Sequence, residues 1–228
     1  SGRGALAWRL RDDVIMRAVI GTGYRAPSLY QRFDPTFGNP DLGPETSRSA
    51  EIGVEKRYGG GSFAKATLFR TDVDDLIDYN DPDGYLGPIP GSYSQVEGTT
   101  TITGLELSGQ HVFSERLSAF GSYTYTEAKT GEERLLLAPR HDLSVGVAAG
   151  LTGRLDARIA LHHTGDRVDF GPIALEDFTV LNAGLRYDLG NGATAYLRVE
   201  NLLDEDYEVV NGYNSAGRTV HLGLRAAF

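Results

Sequence analysis

The chain contains no cysteine, one methionine and one tryptophan. The missing cysteine excludes a disulfide framework, a zinc-thiolate site and a thiol nucleophile. Positive charge is also short: Lys and Arg number 22 against 31 Asp and Glu, a formal net charge of -9. Nucleic acid is therefore excluded as a general partner, because phosphate neutralisation needs a surplus of cations. Long apolar runs are missing too. Leu135–Ala138 is among the longest, far from the roughly 18 residues of a transmembrane helix. The opening Ser1 to Gly4 does not read as a signal peptide, and patterned sequence follows at once; the expectation is that the chain begins midway through a longer one. With 40% hydrophobic and 23% charged residues it is too apolar to be disordered.

What the chain has is glycine, aromatics and alternation. It carries Gly 29, Tyr 12 and Phe 9 in 228 residues, a composition that leans toward β structure. From about Gly104 onward apolar residues recur every second position. Leu117, Ala119, Gly121, Tyr123 and Tyr125 form one such set, and Leu143, Val145, Val147 and Ala149 another. Leu155–Leu161, Leu181–Tyr187, Ala193–Val199 and Val220–Phe228 repeat the pattern. Side chains two apart share one face of a strand, so each segment has an apolar and a more polar face. The first half is noisier: Leu6, Trp8 and Leu10 alternate, then Val14 to Ile20, then Ala50, Ile52 and Val54. Ser62 to Asp78 reads as a strand without a clear phase, since Phe63 and Phe69 fall opposite Ala64, Ala66 and Leu68. About eleven strands result, many near the 9–11 residues that cross a tilted bilayer span.

The connections alternate short and long. Turns fall at 11–13, 58–61, 113–115, 152–153 and 190–192; longer loops fall at about 25–45, 80–95, 129–138, 168–177 and 204–216. Tight turns at one end and long loops at the other define an up-and-down antiparallel meander, the arrangement of outer-membrane barrels. The apolar sets above contain no Asp, Glu, Lys or Arg, whereas Asp156, Arg158, Arg186, Arg198, Glu200 and Arg225 lie on the opposite faces. In a membrane barrel the apolar face meets lipid and the charged face lines the lumen. In a soluble β-sandwich binding module the apolar face would be the core. The residues alone permit either, and loop alternation and strand length favour the barrel. Mean hydropathy of -0.28 fits both, because alternating faces average out.

Several segments resemble TonB-dependent outer-membrane receptors: Gly21–Leu29, Gly38–Glu45, Glu51–Glu55, Phe69–Ile77, Gly104–Glu106, Val199–Tyr207, then Gly212-Tyr213, Gly217-Arg218 and the terminal Phe228. Each is short, but their order and spacing on a meander are specific. The final segments look most like the vitamin B12 (cobalamin) receptor branch, and siderophore receptors share most pieces. The resemblance implies an all-β fold, part of a 22-stranded transmembrane barrel in the outer membrane of a Gram-negative cell. Residues 1–228 would be the C-terminal portion of that barrel, a fragment without its plug. The implied partners are the TonB complex, acting through the absent plug, and the barrel-assembly machinery, reading a C-terminal signal that includes Phe228. The lipid bilayer and a small-molecule ligand complete the set. The implied function is uptake of cobalamin or a similar large, scarce ligand. Alternatives are a ferric-siderophore receptor, a porin or outer-membrane enzyme, and the soluble sandwich.

No cofactor or catalytic residue is expected. His162 and His163 point to opposite faces of one strand. His141 with Asp142 could form part of a hydrolase dyad, but no nucleophile elbow accompanies them. The acidic run Asp72, Asp74, Asp75, Asp78, Asp81 and Asp83 does not fit a calcium loop, since Gly84 is out of register and no Glu closes it. Ligand recognition remains, through loop aromatics and polar groups. The candidates are Tyr79, Tyr85 and Tyr93 in the second long loop, Arg134 in the third with Arg140 just after it, Phe170 in the fourth and Tyr213 in the last. Glu45 could accept hydrogen bonds at a loop base or be solvated.

Overall fold

In a computed structural model of the chain, which describes residues 1–81, 91–171 and 173–226, eleven strands follow one another in a single antiparallel meander. They are β1 (Arg3–Arg11), β2 (Val14–Arg25), β3 (Glu45–Arg57), β4 (Phe63–Asp74), β5 (Thr99–Ser114), β6 (Leu117–Thr130), β7 (His141–Gly150), β8 (Leu155–Gly165), β9 (Phe178–Gly190), β10 (Ala193–Glu200) and β11 (Thr219–Ala226). Each pairs with its neighbours in sequence, and β1 and β11 are the edges. Tyr85 and Phe228 lie outside the described residues.

All five short turns lie at one end of the sheet and all five long loops at the other. The turns have local causes. Between β9 and β10, Asn191 and Gly192 both take positive φ, 52° and 77°. A two-residue hairpin of this kind needs positive φ twice, which Asn-Gly supplies at little cost. Asp188 adds a carboxylate that accepts from the Gly190 N–H at 2.8 Å.

Register places the apolar sets on one face. Val54 opposes Ala66, Ala66 opposes Leu107, Leu107 opposes Tyr123 and Tyr123 opposes Leu143. The stretch left unphased by its alternation is β4. Its Leu68 stands on the apolar face, 57% exposed, and Phe69 turns to the other side above Gly104, directly across from it. The same device recurs where Phe120 covers Gly146 and Tyr196 covers Gly223. An aromatic lying over a cross-strand glycine fills the gap that the missing side chain leaves.

The apolar face is bare. Leu6, Ile20, Leu222 and Leu224 are 67%, 66%, 79% and 77% exposed. The buried hydrophobic residues among those described are Leu42, Ile77, Ala128, Leu175, Phe178 and Val180, all in or near the long-loop end. A sandwich would have buried this apolar set of the strands, so the sheet is a wall whose apolar face requires an apolar solvent.

Candidate functional site: the long-loop end

The first loop opens on a short helix, α1 (Leu29–Phe33), started by a capping box. Ser28 Oγ accepts from the Gln31 N–H at 3.1 Å and Gln31 Oε1 accepts from the Ser28 N–H at 2.8 Å, so two amide donors at the helix start are satisfied reciprocally. Asp34 Oδ1 then accepts from the N–H groups of Thr36 and Phe37 and turns the chain. A side chain at Gly38 would stand 2.6 Å from both Asp34 N and Asp34 O, so only glycine fits.

This loop is stitched to the second. There Ile77–Asn80 pairs with Ser92–Gln95 as a hairpin. Tyr93 N–H donates to Phe37 O at 3.0 Å, Asn39 Nδ2 donates to Tyr93 O at 3.0 Å, and Gly43 N–H donates to Gln95 Oε1 at 3.1 Å. Glu45, 7% exposed, accepts the Arg25 guanidinium fork on both oxygens. It also accepts the buried Ile77 N–H at 2.8 Å. The two readings left open for this residue resolve as hydrogen bonding, and the Gly38–Glu45 segment is the strap that holds two loops together.

Four rings line that junction edge to face: Tyr30 with Tyr93 at 6.0 Å, Tyr93 with Tyr79 at 5.6 Å, and Tyr79 with Phe37 at 5.8 Å between centroids. Two of these, Tyr79 and Tyr93, were expected from the sequence; Tyr30 and Phe37 were not. Tyr30 is 54% exposed, so the row has an open end.

The third and fourth loops are joined by charge. Arg134 donates to Asp166 Oδ1 and to Asp166 O, both at 2.7 Å. Arg140 grips Glu127 at 2.8 and 2.9 Å and reaches Asp166 Oδ2 at 3.0 Å. Both arginines are thus taken up by carboxylates of the chain itself. Burial pushes the Asp166 carboxyl up, but hydrogen bonds and charge from Arg134 and Arg140 outweigh it and hold the pKa below the usual range. A depressed carboxylate contributes stability that is complete above its ordinary value of about 4 and is lost only as pH falls through the depressed one. Amide protection in these two loops is therefore expected to stay level from neutral pH to about 5 and to fall below about 4. In Asp166→Asn that acid step should disappear, as hydrogen exchange against pH would measure.

The fourth and fifth loops form a second stitched pair. Arg167 and Asp169, each 3% exposed, bond across to the fifth loop. Arg167 donates to the carbonyls of Glu208 and Val209, and Asp169 Oδ2 accepts from the Asn211 N–H at 2.8 Å. Phe178 stacks on Tyr207 at 4.3 Å. Beside this junction a cavity of about 340 Å³ is lined by Glu176, Asp177, Glu205, Asp206 and Glu208. Phe170 and Tyr213 are 52% and 73% exposed at the hairpin tips, apart from the first ring row. The candidate side chains therefore fall into two groups: Tyr79 and Tyr93 together, and Arg134, Phe170 and Tyr213 on the other three loops.

His141 and Asp142 point to opposite faces, His141 toward Tyr123 and Asp142 toward His162, so they form no dyad. In the acidic run, Asp72 is held by Arg70 and Thr101, and Asp74 by Arg48 and Thr99. Among the described residues no group of three or more His, Asp or Glu is placed to hold a metal.

The bare apolar face, the two unequal ends and the polar opposite face define the wall of an outer-membrane type β-barrel. Residues 1–202 match the family described as TonB dependent receptor-like, beta-barrel, and the chain belongs to that family. It is 26% identical to the vitamin B12 transporter BtuB of Vibrio cholerae serotype O1 over 98% of the chain and 36% of that protein. It is 29% identical to the iron-regulated outer membrane virulence protein of the same species, over 97% of the chain and 38% of that protein. The chain thus spans little more than a third of the curated relatives it matches. The fold also matches the copper transporter OprC, with a TM-score of 0.84 at 18% identity over 98% of this chain and 39% of that one. The ferric enterobactin receptor of Pseudomonas aeruginosa gives 0.80 at 23% over 99% and 40%. The family and these relatives are outer-membrane receptors and transporters, not enzymes.

Proposed function

We propose that this chain is the C-terminal portion of the barrel of a TonB-dependent receptor, and that its long loops capture cobalamin or a similarly large ligand without net negative charge. Transport would be driven by TonB through a plug carried elsewhere in the receptor. The final strand, with Phe228, would be read by the barrel-assembly machinery. The observation that carries the ligand class is charge. Between the strand ends the five long loops hold five Arg and no Lys against seventeen Asp and Glu. Arg134 and Arg140 are spent on carboxylates, and Arg32 and Arg167 on backbone carbonyls. A ferric catecholate is an anion and would meet like charge there, whereas a neutral corrinoid would not. The Tyr30–Tyr93–Tyr79–Phe37 row offers ring faces and hydroxyls to a large planar ligand, with Tyr85, Phe170 and Tyr213 as further contacts from the long loops.

The test is titration of the full-length receptor with cobalamin and, separately, with ferric enterobactin. Cobalamin should bind more tightly. Replacing Tyr30 and Tyr93 together by alanine should weaken it about tenfold, two ring contacts at about 0.7 kcal/mol each. Tighter binding of the ferric catecholate, or no binding of either, overturns the ligand class and leaves the fold untouched. A ferric siderophore is the second reading, favoured by the 29% identity to the iron-regulated relative.

A further inference from the structure

Small residues on the apolar face leave a hollow of about 570 Å³ over β4–β6. Ala64, Gly109 and Gly121 stand side by side on three neighbouring strands and form its floor. The floor continues toward the short turns over Ala119 and past His111. Leu107, Tyr123 and Val145 rise around it. The backbone keeps it low: a Cβ at Gly109 would stand 2.9 Å from Phe63 O on the paired strand. In a wall that faces lipid, hydrocarbon fills such a hollow, because an empty one forfeits the contacts of its lining.

One side of the hollow is charged. Lys56, the last residue but one of β3, opposes Ala64 and borders the floor. Its ammonium reaches toward the first turn, where Asp13 Oδ2 lies 3.8 Å away, beyond hydrogen-bond range, and the Tyr58 ring centre lies 5.4 Å away. The stem thus lines the hollow while the charge sits at the level of the short turns. No other Asp, Glu, Lys or Arg of the described strands stands on this face in its short-turn half. A second hollow of about 340 Å³, over β7–β10, provides the contrast. Only Val, Ala, Ile and Leu side chains line it on this face, and its Arg158 turns to the polar side, over Phe120.

We propose that the first hollow binds one anionic glycerophospholipid of the leaflet at the short-turn end. One acyl chain lies on the alanine and glycine floor, and the phosphate accepts hydrogen bonds from the Lys56 ammonium, with the Tyr58 hydroxyl and the His111 ring N–H as further donors. General contact with lipid follows from the wall itself; Lys56 adds the selection of a charged lipid at one place. Charge complementarity names the occupant. A zwitterionic lipid carries its own ammonium and gains less from Lys56. A second copy of the chain packed face to face would need a carboxylate to meet Lys56, and the short-turn half of this face has none on its described strands.

The test is native mass spectrometry of the full-length receptor in detergent, with equal amounts of phosphatidylglycerol and phosphatidylethanolamine carrying the same chains. One phosphatidylglycerol should be retained with about a fivefold preference, the effect of one lysine near a membrane surface. Lys56→Gln should abolish the preference. Ala64→Leu with Ala119→Leu, which fills the hollow from the lipid side, should release the retained lipid, while Ala157→Leu in the second hollow should not. Unchanged heat resistance on gels shows that each variant is folded. Equal retention of the two lipids, retention of neither, a preference that survives Lys56→Gln, or a second receptor copy bound in place of lipid overturns the proposal. The loop ligand takes no part in the test, so its failure leaves the ligand class untouched.

Discussion

Arg167→Ala is expected to loosen the fourth and fifth loops together while leaving the strands intact. Arg167 is 3% exposed and serves as a hub. It donates to Glu176 O at 2.7 Å, Glu208 O at 3.1 Å and Val209 O at 3.3 Å, and its guanidinium lies over Phe178 at 4.8 Å. Burial lowers its pKa and the charge of Asp177 opposes that shift, but an arginine stays protonated in a protein. Alanine would leave three carbonyl acceptors without their donor and a void beneath a ring. An orphaned buried acceptor costs about 1–3 kcal/mol; with partial access of water to the loops, about 3 kcal/mol in total is expected. That is roughly a hundredfold loss of amide protection across Arg167–Leu175 and Glu208–Asn214 by hydrogen exchange in the full-length receptor. Arg167→Lys keeps the charge but cannot span three carbonyls, so it should recover less than half. Unchanged exchange in the fifth loop would show that Arg167 does not join the two.

That hub was invisible in the sequence, and the reason is physical. Its partners are backbone carbonyls, which carry no residue signature, and two of them lie about forty positions away. The meander was legible because alternation and turn residues are local signals: Asn191-Gly192 marks its own turn, and Leu143–Ala149 marks its own phase. β4 resisted phasing because Phe69 is an apolar residue on the polar face, and what holds it there is Gly104, thirty-five positions on. Tyr79 and Tyr93 were within reach because one loop contains both. Tyr30 and Phe37 were not, since they belong to the first loop, whose contact with Tyr93 spans more than fifty positions. Arg134 looked like a ligand contact because Asp166, which occupies it, belongs to another loop. The choice between sandwich and barrel was likewise nonlocal: it turned on whether the apolar face is covered, and Leu222 at 79% exposure decides it.

The glycines under the three lumen aromatics supply the sharpest mechanical prediction, because the same substitution should cost different amounts at each. At Gly223 the nearest atoms a new methyl would meet all belong to the Tyr196 ring. A ring at the far end of a side chain can swing away, at an off-rotamer cost of about 0.5–1.5 kcal/mol. At Gly146 the methyl would also stand 2.7 Å from Ile159 O, and at Gly104 it would collide with Tyr125 O as well as the Phe69 ring. Those oxygens belong to paired strands, β8 and β6, and cannot move without breaking the ladder. Gly104→Ala should therefore lose about 2–3 kcal/mol, in the range of overpacking, and Gly223→Ala about 1 kcal/mol or less. Urea unfolding of the full-length receptor in lipid vesicles would give both values. Adding Phe69→Ala to Gly104→Ala separates the causes: the double variant should regain only the ring's share, because the carbonyl clash remains. Full recovery would mean that the ring alone forbids a side chain at Gly104 and that the strands yield more easily than their ladder implies.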